Sequence, residues 1–195
     1  MKRQVRGSPR GLPGLLLPES LLTIYAVPVH SRPVSKNPAG LTLRFATPDD
    51  AEIVSGMIAD FAAYERLPSQ STPESVRHEL GRTDRVIEVV LAFVDDQPAG
   101  FAVFFPTYST FVARRGLYLE DIFVRDAYRS RGVATALMRF IARVAVERDY
   151  GRVEFTVLLW NTVAIEFFEV LGATPNSAWT TYRLTGEWLH KLADA

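Results

Sequence analysis

Two short stretches carry residue types that could do chemistry. In LYLEDIFV (117–124) a pair of carboxylates, Glu120 and Asp121, sits inside a run that is otherwise apolar. A carboxylate in such surroundings needs a partner that satisfies it or a task, either taking up a proton or holding a cation. In AYRSRGVATAL (127–137), Arg129 and Arg131 flank Ser130, Gly132 follows, and a helical pattern begins. The first N–H groups of a helix lack intrahelical acceptors, so a helix opening at Gly132 offers partial positive charge to a phosphate or pyrophosphate. Gly132 has no side chain to block that approach. Arg129 and Arg131 could add charge-assisted hydrogen bonds, and small Ala134 and Thr135 would keep the first turn accessible. Each stretch also has a plain structural reading: acids satisfied by backbone amides or arginines, and a solvated basic loop ahead of a helix.

Other chemistries find less support. The chain has no cysteine, which excludes disulfides, thiolate metal sites and a cysteine nucleophile. His30, His78 and His190 stand far apart, with neither HExxH spacing nor a carboxylate-rich calcium loop, so no metal site is expected. Neither GxxxxGK[ST] nor GxGxxG is present, which argues against a P-loop or a dinucleotide fold. Basic and acidic residues balance at 22 each, giving no global charge signal for nucleic acid or a membrane, and neither is expected as a partner. The balance hides an asymmetry. Residues 1–40 hold six basic residues and one acid, so the body of the chain is net acidic, which suits a cationic substrate.

The 195 residues, 48% hydrophobic, suffice for one sizeable core. Six of the 12 prolines fall within residues 1–40, where steady periodicity is missing, so that segment reads as a disordered or loosely attached tail ahead of a domain over 41–195. LLLPESLLTIYAV after a basic start has the look of a signal peptide. Pro18 and Glu19 interrupt its apolar region and no clean cleavage site follows, so a cytoplasmic protein is expected.

From Leu41 the pattern becomes regular. LTLRFA alternates as a strand; Thr47 can cap a helix running from about Pro48 to Arg66, and Pro73 opens a shorter one to about Gly81. VIEVVLAFV, the turn DDQPAG and FAVFFPTY read as two antiparallel strands. LYLEDIFV is a fourth strand. Strict alternation puts Leu117, Leu119, Asp121 and Phe123 on one face, so one acid must interrupt the core face unless a bulge intervenes. Val133, Leu137, Phe140, Ile141 and Val144 recur at helical spacing in a long amphipathic helix ending near Gly151. RVEFTVLLW is a fifth strand, TVAIEFFEVLG a helix, and the segment around WTTYRLTG a last strand. This order makes an α+β fold, a mixed sheet with helices on both faces.

Several motifs in this order resemble the GNAT N-acetyltransferases, and among them the diamine (spermidine/spermine) acetyltransferase-like branch. YRSRGVA matches the family's R-x-x-G-x-G/A acetyl-CoA loop; LYLEDIFV precedes it and WNTVAIEFFEVLGA follows. The similarity takes in YER (64–66), FFPTYSTF (104–111) and AWTTYRLTGEWLHKLA, and covers roughly 41–193. It implies a mostly antiparallel sheet with splayed strands and acetyl-CoA as co-substrate. The backbone of Ile122, Phe123 and Val124 would pair with the pantetheine arm, and Arg129, Ser130, Arg131, Gly132, Val133, Ala134 and Thr135 would hold the pyrophosphate. Asn161, Thr162, Val163, Ala164 and Phe168 would flank the cofactor on its other side, Asn161 serving equally as the cap of its helix. The acceptor would be a small cationic amine near Tyr64, Glu65, Glu120, Asp121, Glu154, Phe155, Thr156 and Trp179. An alkyl ammonium has a pKa of about 10.4, so something must remove its proton; Glu120, through a water, is the candidate base. The resemblance, with Trp188, Leu189 and Leu192 to bury, also implies a homodimer.

The chain departs from the branch at one position. Where a tyrosine usually stands beside the departing thiolate as general acid, this chain has Phe168, which cannot donate a proton. The thiolate leaves unassisted or through water, another tyrosine such as Tyr182 or Tyr108 substitutes, or catalysis is weak. The last option leaves a CoA-binding sensor or interaction module as an alternative, and a peptide or protein N-acetyltransferase as another. With Ser177 and a short stretch between Gly172 and Trp179, a smaller amine such as a diamine, a thialysine-like amino acid or an amine antimetabolite is at least as well supported as spermidine or spermine.

Overall fold

The computed structural model describes residues 38–195. Most of the expected basic tail, including its signal-like stretch, therefore lies outside the described residues. The elements run β1 (Leu41–Phe45), a 3-10 turn (Pro48–Asp50), α1 (Ala51–Glu65), α2 (Pro73–Gly81), β2 (Glu88–Val94), β3 (Gln97–Ser109), β4 (Arg114–Val124), a second 3-10 turn (Asp126–Tyr128), α3 (Val133–Glu147), β5 (Val153–Phe155), α4 (Thr162–Val170) and α5 (Glu187–Ala193). By their internal contacts the described residues fall into two units, 38–165 and 166–195, the boundary lying inside α4. No helix among them is long and apolar enough to cross a membrane.

In the larger unit the five strands pair in the order β1-β2-β3-β4-β5, antiparallel throughout except for the parallel β4–β5 pair. Each face of the sheet buries its own apolar set. On one side Val90, Ala102, Phe104, Leu117 and Leu119 pack with Val133, Leu137 and Ile141 of α3; on the other Val89, Leu91, Phe101, Val103 and Phe123 pack with Val54 and Met57 of α1 and Val76 and Leu80 of α2. Burying each such Leu, Phe or Met contributes about 1.5–3 kcal/mol, so these apolar faces hold the helices to the sheet, that of α3 being the one the sequence periodicity marks.

Several boundaries differ from the sequence reading. The first helix starts later because Asp50 turns inward. Its carboxylate accepts hydrogen bonds from Arg44 Nη2 at 2.6 Å and from the Thr47 amide at 2.8 Å, and Arg44 holds it well below the usual carboxylate range. The β2–β3 turn is tighter than DDQPAG. Asp95 and Asp96 both take left-handed backbone (φ 50° and 62°), the conformation a two-residue hairpin turn requires, so Gln97–Gly100 join β3. The α3 helix ends at Glu147 rather than near Gly151, with Asp149 in the left-handed position (φ 55°) and the Tyr150 amide bonding back to Ala145 O.

Two expected strands need correction. β5 keeps only Val153–Phe155 of RVEFTVLLW, because its parallel register with β4 stops at Leu119↔Phe155, where β4 bends. The last strand around WTTYRLTG is not formed: residues 173–186 have no strand neighbour among the described residues, and Trp179, Tyr182 and Leu184 are exposed. Without a ladder partner an alternating pattern has no hydrogen bonds to make it a strand.

Candidate active site

β4 positions the acids. Val103 of β3 faces Asp121, yet its neighbour Phe104 faces Leu119, so Glu120 is an extra residue without a cross-strand partner. This is a β-bulge, and it resolves the choice left open by the alternation. Leu117 and Leu119 before it, and Ile122 and Val124 after it, all join the α3-side core. Asp121 is thereby moved to the α1 side with Phe123, and Glu120 stands exposed at the bend.

Asp121 is partly buried, and its carboxyl is pushed up to about 6, mainly by loss of hydration and further by the negative charges of Glu120 and Glu65. Burial also raises the Glu65 carboxyl at the end of α1. No cation of the chain pairs with Asp121 or Glu65 in any ion pair among the described residues. Arg125, one residue past β4, ties this end of the strand to α1 through Asp60 (2.8 Å) and to Pro98 O (3.1 Å).

The same bend opens the edge of β4. Beyond Leu119 no strand covers the β5-facing side of residues 120–124 among the described residues, and that run includes Ile122, Phe123 and Val124. Directly after it the chain makes the second 3-10 turn and enters α3. Ser130 (φ 58°) and Gly132 (φ 80°) both take left-handed backbone, which turns the loop tightly into the helix. Gly132 suits that conformation, and the N–H groups of Val133, Ala134 and Thr135 head the helix without intrahelical acceptors. An extended thioester cofactor with a pyrophosphate fits these two features: uncovered strand backbone leading to a helix start.

An aromatic wall adjoins the acids. The Tyr64 ring at the end of α1 lies 6.1 Å from Phe123 and 6.0 Å from Trp160 between centroids. Its hydroxyl donates to Asn161 Oδ1 at 3.3 Å, and the same oxygen accepts the Ala164 amide at 3.2 Å, so Asn161, only 7% exposed, caps α4 and holds Tyr64 together. Arg129, an exposed residue, lies against this wall. Its guanidinium carbon stands 4.6 Å from the Tyr64 ring centre and 5.5 Å from that of Phe123, while Nε donates to Val124 O at 3.0 Å. Arg131 lies over Tyr128 at 5.8 Å.

The remaining expected residues are spread more widely. Glu154 and Phe155 run alongside Tyr118 and Leu119 on β5, with Glu154 in an ion pair to Arg152 at 2.7 Å. Thr156 follows β5 and accepts from the Tyr118 hydroxyl at 3.2 Å. Thr162 and Val163 are exposed on the first turn of α4, with Ala164 half-buried. Phe168 and Trp179 belong to the unit 166–195, Phe168 buried on α4 beside Phe167 and Trp179 exposed. Of the tyrosines suggested as substitute donors, Tyr108 faces Arg115, roughly 15 Å up the strand from the bulge. Tyr182, in the smaller unit, is 92% exposed. Trp160 and Tyr118, which touch expected site residues, were missed by the sequence reading; the aromatic preceding Asn161 and the one preceding Leu119 in LYLEDIFV were the available signals.

Comparison with known proteins supplies the class, an acyltransferase: residues 56–173 match the acetyltransferase (GNAT) family model. The chain belongs to the GNAT acetyltransferase family. Its relatives within the family include amine N-acetyltransferases. A thialysine N-epsilon-acetyltransferase of Caenorhabditis elegans is 32% identical over 153 residues, covering 76% of this chain and 94% of that one. An L-ornithine N5-acetyltransferase of Arabidopsis thaliana is 45% identical over 94 residues, covering 48% of this chain and 41% of its own length. Among solved structures, an integron cassette protein from the mobile metagenome of V. cholerae matches with a TM-score of 0.69 at 21% identity, over 80% of this chain and 99% of that one, a likeness of fold.

Proposed function

We propose that the domain over 41–195 transfers acetyl from acetyl-CoA to the primary amine of a small cation, a diamine, polyamine or thialysine-like amino acid, by direct attack in a ternary complex. The observation that carries this is the set Glu65, Glu120 and Asp121, gathered at a bulge beside the uncovered edge of β4. Bound acetyl-CoA supplies an acyl group activated as a thioester. Main-chain groups of Ile122 and Phe123 hold its extended arm, and the loop Ser130–Gly132 with the amides of Val133–Thr135 holds its pyrophosphate. Asn161 and the first turn of α4 close the other side. Asp121 and Glu65 draw in the ammonium end of the acceptor, with Tyr64, Phe155 and Thr156 shaping its surroundings. Glu120, exposed at the bend, accepts the ammonium proton through a water and leaves a free amine. Attack of that amine on the thioester carbonyl forms the amide C–N bond and breaks the C–S bond, the CoA sulfur departing as thiolate and taking its proton from water. With no cysteine, no acetyl-enzyme forms.

The test is CoA release by the purified protein over diamines, polyamines, ornithine and lysine analogues. Turnover with a small primary amine supports the proposal; tight CoA binding with no turnover on any amine overturns it. That second result belongs to the other reading, a CoA-binding module, which Phe168 in place of a tyrosine motivates. Restoring the hydroxyl with Phe168→Tyr separates the two, since an idle protein awakened by it favours the module. A cytoplasmic homodimer completes the proposal, and sedimentation at micromolar concentration showing monomer alone removes the dimer.

A further inference from the structure

The sequence places Arg129 among the pyrophosphate ligands, as one of two arginines ahead of the helix. Its side chain is engaged elsewhere. The guanidinium is stacked against Tyr64 (4.6 Å) and Phe123 (5.5 Å), Nε is bonded to Val124 O (3.0 Å), and Nη2 pairs with Asp126 (2.9 Å). Tyr64 sits in the last turn of α1, two residues before Arg66 leaves the helix with left-handed backbone, so little of α1 follows to hold the ring. What holds it is Phe123, Trp160 and Arg129 against the ring and Asn161 at the hydroxyl.

We infer that Arg129 is a positioning residue: by stacking on Tyr64 it fixes the wall beside the acids, and through Tyr64 it steadies Asn161 and Trp160. The inference builds on the acetyltransferase reading. Arginine carries a delocalised cation that can rest against the Tyr64 and Phe123 rings while its directional Nε–H bonds the strand end, which a lysine ammonium does not reproduce. The chain of contacts runs Arg129 to Tyr64 to Asn161 to the α4 amide of Ala164, and links the loop before α3 to the start of α4. One arginine thus ties the acceptor side of the site to its cofactor side, while the loop's main chain and Arg131 are left to meet the anion.

The decisive comparison uses two donors, acetyl-CoA and S-acetylpantetheine, which lacks the pyrophosphate. Arg129→Gln is expected to lower kcat/KM for the amine roughly tenfold with both donors and to raise the KM of the amine. Arg129→Lys is expected to fall with it. A loss seen with acetyl-CoA and absent with acetylpantetheine, or full rescue by lysine, overturns the inference and returns Arg129 to the pyrophosphate; no loss with either donor also overturns it. A second measurement needs no turnover. In a protein carrying Trp179→Phe and Trp188→Phe, the fluorescence of Trp160 becomes more accessible to acrylamide when Arg129→Gln is added; unchanged quenching contradicts the inference even if no amine is found to react.

Discussion

Asp121 makes a pH-dependent contribution to stability that can be worked out and measured. Its carboxyl titrates at about 6 in the folded chain, against 3.8 for an ordinary aspartate. Between those values the folded state holds more protons than the unfolded one, so stability must fall as pH rises, and the full penalty is present above about pH 7. Two pKa units and a fraction correspond to about 3 kcal/mol at pH 7.5, but about 1 kcal/mol at pH 4.5, where the folded carboxyl is mostly protonated. Asp121→Asn removes the titration. An amide at this position has its own burial cost, and that cost is the same at both pH values. The variant's stability relative to the unaltered protein is therefore expected to be about 2 kcal/mol better at pH 7.5 than at pH 4.5. Urea unfolding followed by circular dichroism at the two pH values measures it. A difference between the two proteins that does not change with pH would refute the reasoning, because it would mean that neither burial nor the neighbouring acids perturb Asp121.

Other outcomes follow from the same geometry. Glu120→Gln is expected to lower kcat by about 10² to 10⁴-fold while leaving CoA affinity within a factor of a few, checked by initial rates and calorimetry. Gly132→Ala forces a side chain onto left-handed backbone and is expected to destabilise the fold by about 1–2 kcal/mol and weaken CoA binding, read by thermal unfolding with and without CoA. Asp50→Ala leaves Arg44 and the Thr47 amide without their shared acceptor, and is expected to lower stability by about 2–4 kcal/mol with kcat unchanged.

Much of the architecture was legible because it rests on local periodicity. The apolar stripe of Val133, Leu137, Ile141 and Val144 marks α3 and its buried face, and Pro73 marks the start of α2. What needs a distant partner was harder to read. The pattern of WTTYRLTG could not show that no strand would lie beside it, nor could RVEFTVLLW show that β4 would bend away after Leu119. LYLEDIFV was a choice between an acid on the core face and a bulge, and only the register against Val103 and Phe104 decides it. The direction of Arg129 was illegible for a similar reason. A basic loop beside a helix start suggests an anion, but the ring that captures the guanidinium belongs to Tyr64, at the far end of another helix.

In the proposed mechanism the bulge carries more of the chemistry than any other single feature of the fold. If Glu120 were absent, Leu119 would be followed directly by Asp121, and the alternation would continue unbroken with Leu117 and Leu119 on one core and Asp121 and Phe123 toward the other. The core therefore has no need of Glu120. What the extra residue adds is a carboxylate with no packing duty, a neighbouring negative charge that raises Asp121, and a bend in β4 at the point where β5 ceases to cover it. An acid poised to take a proton and a strand edge open to an extended ligand thus arise from one insertion. The acids and the exposed backbone must lie side by side, because both follow from the same turn of the chain.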